Sequence, residues 1–83
     1  MKFYINISDV SVNEESGWIY YEDEDGEIVN EPTFSSYKGP KEDLREISSK
    51  DYNRMIILNA EGDHNDYWEL SDTLVVKLRK EVK

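Results

Sequence analysis

The longest unbroken aliphatic stretch in this chain is the four residues Met55 to Leu58. A bilayer-spanning helix needs about 20 apolar residues, so this chain has to gather its core from short apolar segments scattered along its length. Leu, Ile, Val and Phe supply 20 of its 83 residues, above the ~20 % level below which highly charged chains stay unfolded. A domain this short buries only about 60 to 70 % of the surface its unfolded chain exposes. With no cysteine, neither a disulfide nor a thiolate metal site adds to that core. One compact domain over residues 1–83, without a large enzyme cleft, is the expectation. Met1 to Ile7 carries one Lys but no long apolar run or small-residue cleavage site, which predicts a cytoplasmic protein.

The short segments carry local signals. Phe3, Ile5 and Ile7 alternate with Lys2, Tyr4 and Asn6, which predicts a strand over 2–7, and Val10 and Val12 resume the alternation after a shift of phase. Gly17 opens the aromatic, β-branched run Trp18-Ile19-Tyr20-Tyr21, and Glu27-Ile28-Val29 returns after Asp23-Glu24-Asp25-Gly26. Asp at the first and Gly at the fourth turn position make this a hairpin. Pro40 followed by Lys41-Glu42-Asp43, with Leu44 and Ile47 three residues apart, predicts a helix of two to three turns over 40–47. Ser48 or Ser49 caps a further turn reaching Tyr52. Arg54 to Ala60 is expected as a central strand covered on both faces, with Ile57 buried in it. Glu61 to Asp66 is expected as a loop, Tyr67 to Leu70 as a short strand, and Leu74, Val76 and Leu78 as alternating positions of a final strand. Together these give an α+β fold, a small, mostly antiparallel four- or five-stranded sheet with one short helix.

The charge is segregated. Between Phe3 and Tyr37 there are nine acidic residues and no Lys or Arg, whereas four of the ten basic residues fall between Lys77 and Lys83. The net charge is −9. Such a field repels phosphate backbones and attracts basic partners, so direct nucleic-acid binding is not expected.

No motif points to catalysis. Asp23, Asp25, Gly26 and Ile28 fall at the third, fifth, sixth and eighth positions of a calcium loop, but Tyr21 occupies the first ligand position and Pro32 the closing one, which excludes that site. Asp63, His64, Asp66 and Glu69 form the one His-carboxylate group, drawn from a single loop rather than from converging elements. Surface loops are rich in such residues for turn reasons alone. None of the serines lies in a nucleophile elbow, and the four glycines are too far apart to cradle a phosphate. Neither an enzyme nor a bound cofactor or metal is expected.

Ten aromatic residues are many for so polar a chain. Alternation sends Tyr20 and Tyr21 to opposite faces of a strand, and Tyr67 and Trp68 likewise, so some of these rings have to be exposed. Exposed Tyr and Trp among polar groups are the material of binding hot spots. The candidate partner-binding residues are therefore Tyr20, Tyr21, Glu22, Asp23, Glu24, Asp25 and Glu27 on the hairpin, with Asp63, Asp66, Tyr67, Trp68 and Glu69 further on. On an extended strand Glu22 and Glu24 would stand about 6.7 Å apart on one face, roughly twice the rise between nucleotides of one DNA strand. The expected function is a non-enzymatic inhibitor of a basic, nucleic-acid-handling protein. In composition and size alone the chain is similar to phage anti-defence inhibitors, of the anti-CRISPR or anti-restriction type, and to immunity proteins of nuclease toxins. The alternative is a structural or regulatory module that joins a larger assembly through a sheet edge, its acidity serving solubility.

Overall fold

The computed structural model describes residues 1–8, 15–31 and 33–81. Four strands, β1 (Phe3–Asn6), β2 (Ile19–Glu22), β3 (Ile28–Asn30) and β4 (Leu44–Ile47), form one antiparallel sheet in the order β3-β2-β1-β4. Two helices, α1 (Ser49–Ala60) and α2 (His64–Glu81), follow. The α+β class and the four-stranded antiparallel sheet are as expected. The helical complement is larger than one short helix, and the difference comes from the C-terminal half.

In β1 the alternation does what the pattern demands. Ile5 stands opposite Ile19 of β2, and Phe3 stands opposite Tyr21 of β2 and Ile47 of β4. These residues pack with Tyr52, Met55, Tyr67, Leu74 and Val75 into the main core between sheet and helices. The Phe3 and Tyr52 rings stack at 4.2 Å. On the opposite sheet face Tyr20, Ile28 and Leu44 form a smaller cluster. Tyr37 covers it, edge-on to Tyr20 at 4.9 Å, its hydroxyl donating to the Pro40 carbonyl at 2.8 Å. Residues 35–37 run beside β3, with Asn30 N–H donating to Ser35 O at 2.9 Å and Tyr37 N–H to Ile28 O at 2.8 Å. The Val10 and Val12 positions lie outside the described residues.

Four expected elements are corrected. Pro40 is extended (φ −67, ψ 135), and after a single 3-10 turn at Lys41–Asp43 the chain enters β4 instead of a helix. Leu44 and Ile47, three residues apart, suit a helical stripe equally well, but across a strand they face opposite sides and complete both apolar clusters. Pairing with β1 over four positions decides between the two. The expected central strand over 54–60 is part of α1. Ser48 caps α1 by accepting the Asp51 N–H at 3.1 Å, and Tyr52, Met55, Ile56 and Asn59 face inward at helical spacing. Ile57, expected buried, is 55 % exposed. The two expected strands at 67–70 and 74–78 both belong to α2, whose inner face is Tyr67, Leu70, Ser71, Leu74, Val75 and Leu78. Val76 points out.

The turn at 61–63 stands where expected, but His64 to Asp66 are the first turn of α2 rather than loop. Gly62 has φ +74 and donates its N–H to Asn59 O at 3.2 Å, while Asp63 N–H donates to Leu58 O at 2.9 Å. These two bonds are the Schellman closure of α1. At the far end of α2, Arg79 reaches back across the sheet end. Its Nε donates to Ile7 O at 2.7 Å, and its Nη2 donates to Ser8 O and reaches Ser16 Oγ at 3.5 Å. Among the described residues no helix is long and apolar enough to cross a membrane.

Candidate functional site: an aromatic cleft at the open end of the hairpin

A cleft of about 150 Å³ opens where the β2–β3 hairpin meets the helices, lined by Trp18, Glu31, Ile56, His64, Tyr67 and Trp68 among others. Its walls are set by local backbone chemistry. Gly17 takes φ +86, its carbonyl accepts the Ser71 hydroxyl at 3.0 Å, and a Cβ added there would lie 2.6 Å from Ser71 Oγ and 3.1 Å from Trp68 Cζ3. Glycine at this position lets α2 close on the hairpin and brings the Trp68 indole against it, while Trp18, which also borders the cleft, packs on the Tyr20, Ile28 and Leu44 cluster.

The other wall is the turn after β3. Asn30 is buried and bonded on all sides. Its Nδ2 donates to Ile19 O at 3.2 Å, its Oδ1 accepts from Thr33 Oγ1 at 2.6 Å, and its carbonyl accepts the Phe34 N–H at 2.7 Å. That turn holds Phe34 at φ +59 with 67 % of the residue exposed. A bulky residue in left-handed backbone is strained, and strain of this kind collects at binding and switch positions.

Electrostatically the cleft is anionic. Glu31 is its one carboxylate, and no Lys or Arg is among the described residues that line it. At its wall, burial pushes the Tyr67 phenol up to about 12. Burial likewise raises Tyr52, a core residue outside the cleft, and the nearby Glu31 carboxylate is the next cause.

The expected site residues divide between this cleft and two other places. Tyr67 and Trp68 line the cleft, their rings edge-to-face at 5.1 Å, and Trp68 is 43 % exposed. Tyr20 is corrected: at 1 % exposure it is a core residue of the opposite sheet face, its hydroxyl donating to Glu15 Oε2 at 3.3 Å, and it offers a partner no surface. Tyr21 is half-buried against the main core. Glu22, Asp23, Glu24, Asp25 and Glu27 sit at the closed end of the hairpin, away from the cleft. Asp23 is the keystone of that turn, its Oδ1 accepting the N–H groups of Asp25 at 3.0 Å and Glu27 at 2.8 Å. Glu27 accepts from the Ser36 hydroxyl. Strand β2 ends at Glu22, so Glu24 lies in the turn and the strand spacing expected between the two carboxylates does not apply. Asp63, Asp66 and Glu69 mark the start of α2. The Asp66 carboxyl is raised by its hydrogen bond to Asp63 and by that residue's charge, with Arg54 opposing. No group of three or more His, Cys, Asp or Glu among the described residues is arranged to hold a metal ion.

Trp18 and Glu31 line the cleft and Phe34 adjoins it; none of the three was among the expected residues. Gly17 marks the place where α2 approaches the hairpin, with Trp68 as its large neighbour, but no local signal in the sequence marks Glu31 or Phe34.

No protein-family model, curated protein or solved structure matches this chain.

Proposed function

We propose that the chain is a non-enzymatic binding protein of the inhibitor type, docking on a basic, nucleic-acid-handling protein in the cytoplasm through an acidic and aromatic surface. The observation that carries this reading is the cleft: exposed Trp68 beside an apolar hollow whose described lining holds a carboxylate and no Lys or Arg. Phe34, exposed on the adjoining turn, supports it, since surface aromatics of this kind anchor interfaces. The acidic turn at 22–27 adds long-range attraction for a basic partner.

Joining an assembly through a sheet edge is less well supported. The outer side of β3 is already flanked by residues 35–37, and on β4 the Arg45 guanidinium donates to Leu44 O at 2.8 Å and to Glu42 O, occupying carbonyls that an incoming strand would use.

The test is a binding titration against the basic protein recovered by pull-down from host lysate, at low and moderate salt. Affinity should fall steeply with salt, and replacing Glu22, Glu24 and Asp25 by their amides should flatten that slope. A salt-independent affinity, or tight binding of the chain itself to DNA or RNA, would remove the reading.

A further inference from the structure

We infer that the cleft between Trp18 and Trp68 is a receptor for a single arginine side chain presented by the basic partner. This deepens the binding reading above and rests on it. The size of the cleft suits one side chain, and three further features select that occupant over an apolar one. Its volume of about 150 Å³ is well below the ~300 Å³ at which small-molecule pockets begin, which suits one side chain. Trp68, 43 % exposed, lines it and Trp18 borders it, and a guanidinium stacks on an indole face more favourably than on any other side chain. Glu31 stands at the wall with its carboxylate accepting no hydrogen bond from the described residues, so it is free to take a bidentate guanidinium pair. The half-buried Asn59 adds an amide oxygen as a further acceptor. A leucine or phenylalanine would fill the volume and leave that carboxylate desolvated without a partner, which is costly. A second copy of this chain is disfavoured by its own charge of −9.

The experiment uses the full chain and four probes: Nα-acetyl-arginine amide, its neutral isostere Nα-acetyl-citrulline amide, Nα-acetyl-lysine amide, and Nα-acetyl-leucine amide. The indole N–H resonances of Trp18 and Trp68 report occupancy directly. Acetyl-arginine amide should shift both saturably in the millimolar range, with citrulline and leucine at least about fivefold weaker and lysine intermediate. Glu31→Gln, nearly isosteric, should weaken the arginine probe at least about fivefold while the urea midpoint stays unchanged, and Trp68→Phe should weaken it about two- to threefold. Equal affinity for citrulline or leucine, or absence of any saturable shift, overturns the inference, as does concentration-dependent dimerisation abolished by Phe34→Ala. A basic partner that binds the Glu31→Gln variant as tightly as the unaltered chain overturns the arginine receptor and leaves the broader binding reading standing. Arginine-selective binding in the cleft with no basic protein captured does the reverse.

Discussion

Met55 and Ile57 stand two positions apart on α1, the first fully buried in the main core and the second facing water. The same apolar character therefore carries opposite consequences. Met55→Ala removes a side chain whose neighbours cannot all collapse into the space, and should cost about 2 to 5 kcal/mol. Ile57→Ala should change stability by no more than about 0.5 kcal/mol, because it deletes mainly solvated surface and gains slightly in helix propensity. Urea melts of the two variants test the helical phase of α1, and the reverse order would mean that the segment is turned the other way. His64, exposed at the mouth of the cleft, belongs with Ile57: its replacement by Ala should also stay within about 0.5 kcal/mol.

Each element is held by a small number of polar closures whose loss is predictable. Ser48→Ala removes the α1 cap and should cost about 1 kcal/mol. At the hairpin, Asp23→Ala loses two N–H contacts and should cost about as much, while Glu22→Gln, Glu24→Gln and Asp25→Asn together should leave the unfolding midpoint unchanged or raise it, since they relieve crowded like charges. A thermal melt of each variant checks both statements. The N-terminal half was legible because its signals are local: alternation in β1, and the Asp and Gly of the hairpin turn. The C-terminal half misled because Leu74, Val76 and Leu78 satisfy a period of two, and Met55 to Leu58 satisfies a buried strand, over windows too short to show the longer period. Over the full length of α2 the spacing Tyr67, Leu70, Ser71, Leu74, Val75, Leu78 is helical without ambiguity, and Gly62 marks the stop before it. Of the site, the sequence showed Tyr67 and Trp68 but not their partners. Trp18 and Glu31 reach them only through the closing of α2 on Gly17, a contact between residues 54 positions apart.

The molecule as a whole measures 30 × 29 × 21 Å and carries buried phenols on both faces of its sheet. Burial raises Tyr20, Tyr52 and Tyr67, the last to about 12 from its ordinary 10.0. A raised folded-state value means the native protein keeps the proton while the unfolded chain releases it. Stability is then complete below pH 10.0 and declines as pH rises toward about 12. The Tyr67 shift alone corresponds to about 2 to 3 kcal/mol. Urea midpoints measured across that interval should fall steeply, and Tyr67→Phe should flatten the fall; an unchanged slope in that variant would assign the titration to other groups. The reach of Arg79 to Ile7 and Ser8, 72 and 71 positions away, has a consequence for how the chain matures during synthesis. The ribosome delivers β1 first, yet β1 is an inner strand: its partners β2 and β4 and the helices that cover its apolar face arrive only later. A nascent chain lacking α2 therefore has that apolar face covered by α1 alone, and the clasp that ties the residues just after β1 to α2 closes only once Arg79 has cleared the exit tunnel.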